Sequence, residues 1–446
     1  MTRSHRTSRY AALATVVLLV LAACSSSKSS SSSATTAATG GTTTTAVTND
    51  WALRYTLGTA GKADTTKTPI VIGYVNQQGS VPDYSEATNG INAAVQYVNN
   101  ELGGIGGHPV QLSSCFVQVE SDGQKCGTQF ANDPKITLVI TGAMSVGSQS
   151  LYNVIVGKKA VLVGNPLTTP DYVTKGITAY TPGAPGVVDG LAIFVAKDLP
   201  NVKSVAVIHG DSPSEAFAAT GLFKPLAAKL GLNNVTLVSV SDTAQATDIQ
   251  QAVQSAGADK ADVLVTVVIQ NLCAPIYDAL QSLGVNPTVV STGLCYLGSM
   301  TKHMQDIGSK DQVPNNWYFG GYGYSYFLPD QPSGMTTYLA KVKQYAPAGS
   351  ELYGFAGPVF ADLLTAVQFY NKIGPDQVTV ANLSLFMKNW HGPMMIVAGA
   401  MNCGGFPNPL FVPLCGTQMG IQQYVYPNWI SVKDALNGQP IDVTQY

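Results

Sequence analysis

The chain is short of charge. Lys and Arg number 24 and Asp and Glu 26 among 446 residues, a formal net charge of −2. No basic face is on offer for a phosphate backbone, which excludes nucleic-acid binding. A long apolar run is also missing, so nothing reaches the roughly 18–20 residues that a membrane-spanning helix requires. There is no Cys-x-x-Cys and no histidine cluster at ligand spacing, so no zinc site and no other cofactor is expected. What remains is 45% hydrophobic content, ample for two or three domains with cores of their own.

The first ten residues, MTRSHRTSRY, carry three arginines and no acid. The apolar run that follows, Ala11 to Ala23, is thirteen residues long. That is too short to cross about 30 Å of hydrocarbon and reads as an export signal over residues 1–23. Leu21-Ala-Ala-Cys24 resembles the lipobox of bacterial lipoproteins, which implies acylation of Cys24 and an extracytoplasmic, lipid-anchored protein. Residues 24–66 are rich in Ser, Thr, Ala and Gly and are expected to be a disordered tether. Six cysteines are left in an oxidising compartment, and six allow fifteen pairings. Their sequential clustering favours Cys115 with Cys126, Cys273 with Cys295 and Cys403 with Cys415.

From Thr68 onward, β-branched apolar runs alternate with helical periodicity. Strands are predicted at 68–75, 108–118, 136–142, 160–165, 204–210, 235–240, 261–268 and 288–293. Between them, Ile91, Val95, Val98 and Leu102 share a helix face, as do Ile276, Leu280 and Leu283 ahead of Gly284. Thr247 and Gln250 read as a capping box. Continuous apolar strands alternating with helices predict an α/β protein with doubly wound parallel sheets, probed directly by one cysteine pair. Cys273 at a helix start and Cys295 after the next strand fall at the same sheet edge.

These segments resemble the extracytoplasmic solute-binding proteins of the branched-chain amino acid (leucine/isoleucine/valine-binding) type, which serve ABC importers. The likeness is carried by IVIGYVNQQGSV, VNNELGGIGGHPVQL (98–112), VITGAMSVGSQS (139–150), VGNPLTTPDYV (163–173) and SVAVIHGD (204–211). It implies a type I periplasmic binding protein, two lobes joined by three hinge crossovers with a small-molecule ligand between them. Lobe 1 would comprise 67–182 and 321–390, lobe 2 183–320 and 391–446. The crossovers would lie near Thr181-Pro182, Phe319-Gly320 and His391-Gly392, with Trp317 and Trp390 beside two of them. The resemblance further implies a monomer that hands its ligand to an ABC permease and carries no catalytic residue.

The glycine loop 103–107 follows a helix and precedes a strand, so it is a turn and not a phosphate loop. Ala143-x-Ser145-x-Gly147 approximates a nucleophile elbow, with His391 as a conceivable base, but its first glycine is Ala143 and no His-Gly-Gly-Gly motif accompanies it. A secreted serine hydrolase is therefore the weaker rival, and a ligand sensor built on the same clamshell the stronger one. In the family the loop of Ser145 and Ser148 and the next one, with Pro166 and Thr168, hold the ligand's carboxylate, using N–H groups at helix starts. The tyrosine and acid that grip the ammonium of amino acids fall near Ser214 and Gly293, where neither is present. Asp211 and Glu215 are possible substitutes, Gln270 and Tyr296 offer hydrogen bonding and stacking, and Tyr84 and Tyr322 offer aromatic walls. A small polar ligand, an amino acid, a carboxylate or an amide, is expected.

Overall fold

The computed structural model describes residues 51–322, 326–327, 331–397, 399–432 and 440–446. The expected export signal, Cys24, the tether as far as residue 50 and residues 323–325 next to Tyr322 lie outside the described residues.

The apolar runs become strands because their side chains are covered on both faces. Ile70–Gln77 (β1), Val110–Val117 (β2), Leu138–Ala143 (β3) and Ala160–Asn165 (β4) form a parallel sheet in the order β2-β1-β3-β4. Every residue of β3 and β4 is buried. The helix Ser85–Glu101 packs with Ala356–Ile373 on one face, and Glu120–Asn132 with Ser148–Ile155 on the other. Lys341, 2% exposed at its side chain, pairs with Glu101 at 2.7 Å and so fastens the helix Ser333–Tyr345 to Ser85–Glu101.

The second sheet is built from Val205–Gly210 (β5), Val235–Val240 (β6), Val263–Val267 (β7), Thr288–Thr292 (β8) and Tyr318–Gly321 (β9), parallel in the order β6-β5-β7-β8-β9. Gln418–Val425 (β10) and Asn428–Ser431 (β11) extend it antiparallel, and Ile441–Asp442 (β12) pairs with β10. The doubly wound two-lobe reading therefore holds. Three disulfides join Cys115 to Cys126, Cys273 to Cys295 and Cys403 to Cys415.

Three expectations need correction. Residues 51–66 are not tether: residues 51–56 are helical, Ala52, Tyr55 and Thr56 are buried, and Tyr55 OH bonds Thr365 Oγ1 at 2.7 Å. Asn371 Nδ2 donates to the Thr56 carbonyl at 2.9 Å and Gln368 to that of Tyr55, so the segment is stitched to Ala356–Ile373. Apolar Trp51, Leu53 and Tyr55, spaced among polar residues, carry this contact.

The crossovers also differ. Phe319 and Gly320 belong to β9 within the second sheet, so that crossing falls after Gly321. Residues beyond His391 do not cross there, because Leu414 bridges Ala179 and Cys415 N–H donates to the Ala179 carbonyl. The chain reaches the second sheet only past Gly416, beside Thr181 and Pro182. Trp390 consequently packs on Tyr180 and Phe369, and Trp317 on Tyr277 and Phe319, each inside its own lobe.

Finally, the expected Thr247–Gln250 cap is displaced. The helix is Ala246–Ser255, and Asp248 Oδ2 accepts from the Gln245 N–H at 3.0 Å. An ionised carboxylate accepts the N–H groups at a helix start better than a hydroxyl does.

Candidate functional site

A cavity of about 270 Å³ lies where the strand ends of the two sheets meet. From the first lobe it is walled by Tyr84 after β1, Ser145 after β3, Leu167 after β4, and Phe355. The second lobe contributes Glu215 after β5, Asp242 after β6, Ile269 after β7, and Gly293 and Tyr296 after β8. Tyr322, at the crossover after β9, closes one side. Loops at the carboxyl ends of parallel strands are where α/β folds bind ligands, because helix starts and loop side chains converge there.

The wall of the first lobe is pre-occupied by the protein's own acceptors. Ser145 donates from both its N–H and its hydroxyl to Gln77 Oε1, each at 2.8 Å. Gly147, with φ +86°, turns the chain into the helix Ser148–Ile155, and its N–H donates to Glu120 Oε2 at 2.6 Å. Ser150 N–H donates to the other oxygen of the same carboxylate at 3.0 Å. Glu120 thus sits where an anion would dock on that helix. The next loop repeats the arrangement: Leu167 N–H, Thr168 N–H and Thr168 Oγ1 all donate to Asp171 Oδ2, at 3.0, 2.8 and 2.8 Å.

The expected carboxylate grip of Ser145, Ser148, Pro166 and Thr168 is therefore not assembled. Ser148 is buried beside Asp171 and Tyr152 and does not line the cavity. The carbonyl of Pro166 accepts from the Ala184 N–H at 2.9 Å, at the first crossover. Nor does Ser145 have a base: His391 Nδ1 bonds the Met401 carbonyl at 2.9 Å, and the serine hydroxyl faces an amide oxygen.

The wall of the second lobe is acidic. Glu215 and Asp242 bring their carboxyl groups within hydrogen-bonding range of each other. Loss of solvent on burial pushes both above the usual carboxylate range; the Asp242 charge raises Glu215 further, while a hydrogen bond from Glu215 eases the ionisation of Asp242. Ser212 Oγ donates to Glu215 Oε2 at 2.6 Å, fixing that side chain. Asp211 does not line the cavity; its Oδ1 accepts from the Asp242 N–H at 3.2 Å. Gln270 begins the helix Gln270–Leu283 and also lies outside the lining. Gly293 and Tyr296 are in place on a 3-10 turn that the Cys273–Cys295 disulfide ties to that helix.

The cavity thus brings together Tyr84, Ser145, Glu215, Gly293, Tyr296 and Tyr322 of the expected residues. It adds Asp242, Leu167 and Phe355, which sequence reasoning missed. Asp242 follows a half-exposed edge strand in a Ser-Asp-Thr run that reads as an ordinary turn, so only the fold shows its proximity to Glu215. Trp429 also went unnoticed; it stacks on Phe327, with centroids 4.6 Å apart, and meets Tyr296 edge-on.

Residues 69–400 match the model of a family described as periplasmic binding protein. No curated protein matches the chain in sequence. Among solved structures, it is similar to a leucine binding protein from Thermotoga maritima at 12% identity and TM-score 0.63, over 81% of this chain and 97% of that one. A solute binding protein of an ABC transporter from R. palustris, in complex with 4-hydroxybenzoate, is 13% identical with TM-score 0.63, over 84% and 95%. A fatty acid ABC transporter substrate-binding protein from Thermomonospora curvata is 14% identical with TM-score 0.65, over 87% and 96%.

Proposed function

Because this chain belongs to the periplasmic binding protein family, we propose that it captures a small, largely apolar solute between its lobes and delivers it to an ABC importer in the membrane. The observation that carries this reading is the cavity of about 270 Å³ at the strand ends, walled by both lobes at once. A ligand that touches both walls binds the closed arrangement better than the open one, and that difference drives closure.

The hinges in this reading are Thr181-Pro182, Gly321-Tyr322 and Gly416-Thr417, which lie side by side. Cys24 carries the lipid, and the Ser/Thr-rich residues as far as 50 are the leash. The structurally similar leucine binding protein from T. maritima, the 4-hydroxybenzoate complex from R. palustris and the fatty acid transporter protein from T. curvata support an apolar ligand body. The committed carboxylate of Glu120 and that of Asp171 argue against a ligand gripped by its own carboxylate on the first lobe.

Filling the cavity tests the proposal. Gly293→Trp places an indole beside Tyr296 OH and the Gly320 carbonyl, both of which already lie about 3 Å from where a Cβ would stand. Ligand titration followed by Trp429-region fluorescence should saturate in the native protein and be lost in this variant while the fold is kept. Undiminished binding would place the ligand elsewhere.

A further inference from the structure

Of the five buried polar side-chain atoms that the cavity leaves unpaired, four are carboxyl or amide oxygens and one is the Thr292 hydroxyl. Glu215 Oε1, Asp242 Oδ1, Asp198 Oδ2 and Gln422 Oε1 line it, are buried, and meet no donor among the described residues. Gln422 is only 4% exposed, so its orphaned oxygen is an independent sign that something with hydrogens belongs there. Of the wall hydroxyls, Ser145 donates to Gln77, Ser212 to Glu215 and Tyr326 to the Gly354 carbonyl at 3.0 Å, while that of Thr292 meets no partner among the described residues. No Lys, Arg or His is among the residues described as lining the cavity, whereas Asp198, Glu215 and Asp242 are.

A carboxylate ligand would meet like charge on the second lobe and, on the first, helix starts that already hold Glu120 and Asp171. An ammonium group has the opposite properties: three donors, no acceptor, and a charge that a buried carboxylate pair can neutralise. The rest of the lining is apolar, with Leu167, Val187, Val188, Ile269, Met335 and Phe355 among it.

We propose that the ligand is an organic amine without a carboxylate, its ammonium held between Glu215 and Asp242 and its hydrocarbon body filling the apolar remainder of the cavity. The inference rests on the reading of this cavity as the solute site and specifies the ligand's chemistry. Glu215 and Asp242 come from the loops after β5 and β6, so the head group lies at the edge of the cavity on the second lobe, and the body extends towards Tyr296 and Phe355.

The test uses four probes of equal chain length on the full chain: hexylamine, hexanoate, 1-hexanol and norleucine, with affinity measured by calorimetry. Hexylamine should bind at least about 10-fold more tightly than each of the others, in keeping with a charge-assisted contact that only the ammonium makes. The Glu215→Gln/Asp242→Asn variant should lose at least about 10-fold for hexylamine and leave 1-hexanol unchanged, with Glu215→Gln alone as the milder version. Tighter binding of hexanoate or norleucine overturns the amine and spares the site. Hexylamine binding that the double variant leaves intact overturns the role of the acidic pair. Failure of all four to bind overturns the amine and the cavity reading together.

Discussion

The Glu351 carboxylate of the first lobe accepts a 2.5 Å hydrogen bond from the N–H of Gly298, the first residue of the helix Gly298–Asp306 in the second lobe. The same carboxylate's other oxygen takes the Tyr353 N–H at 3.0 Å, which fixes its aim. An acid from one lobe thus caps a helix of the other, where the helix start favours negative charge. Elsewhere between the lobes, Phe327 stacks on Trp429 and Tyr172 lies over Phe217.

Glu351→Ala should therefore speed ligand release. A charged hydrogen bond that is partly solvated is worth about 1 kcal/mol, or about 5-fold in rate. Stopped-flow dissociation should show that increase with little change in the association rate. An unchanged release rate would mean the contact does not hold the lobes shut.

Stability of the ligand-free protein should fall as pH rises from about 4.5 to 8. Burial pushes the carboxyls of Glu86 and Asp189 up, to about 8 and about 7, and that of Asp198 to about 6. Such groups bind more protons folded than unfolded across this window, so the unfolding free energy declines with pH. Urea unfolding at pH 5 and pH 8 measures the difference. Glu86→Gln should shrink it, by up to about 1.4 kcal/mol per pH unit of relief, because the amide never ionises.

Truncation should be tolerated to residue 50 and not to residue 66. The helical turn 51–56 buries Ala52, Tyr55 and Thr56 and receives hydrogen bonds from Gln368 and Asn371. Losing it exposes the face of Ala356–Ile373 and should cost about 2–4 kcal/mol, a loss comparable to emptying a core site. Thermal unfolding of the two truncated forms decides the point. Equal melting temperatures would return residues 51–66 to the tether.

Cys295→Ala together with Cys273→Ala should weaken both fold and binding. The disulfide spans a 22-residue separation, which corresponds to about 2–4 kcal/mol of stability. It also anchors the turn Gly293–Tyr296 whose Tyr296 lines the cavity, so affinity should fall with stability. Full affinity after removal would show that the turn is held by packing alone.

Much of this molecule was legible in its residues. Alternating β-branched runs and helix faces predicted β1 to β8 to within a few residues, because burial of a strand on both faces demands an uninterrupted apolar run. Sequential cysteines, Gly284 and the turn at 103–107 likewise declare themselves locally. The short helix at 51–56 did not, since its neighbourhood of Ser, Thr and Gly outweighs three apolar side chains in any window.

The site was less legible because it is made of loops far apart in the chain. Ser145, Glu215 and Tyr322 were candidates through the family resemblance and do share one cavity, but that Ser145 would be silenced by Gln77 was not legible. Local pattern determines which segments become strands and helices, because hydrophobic period and helix caps act over a few residues. Only the tertiary structure decided that Glu120 and Asp171 would occupy the anion sites of the first lobe and that Asp242 would meet Glu215, because charge pairing in a desolvated cleft depends on distances that no local pattern encodes.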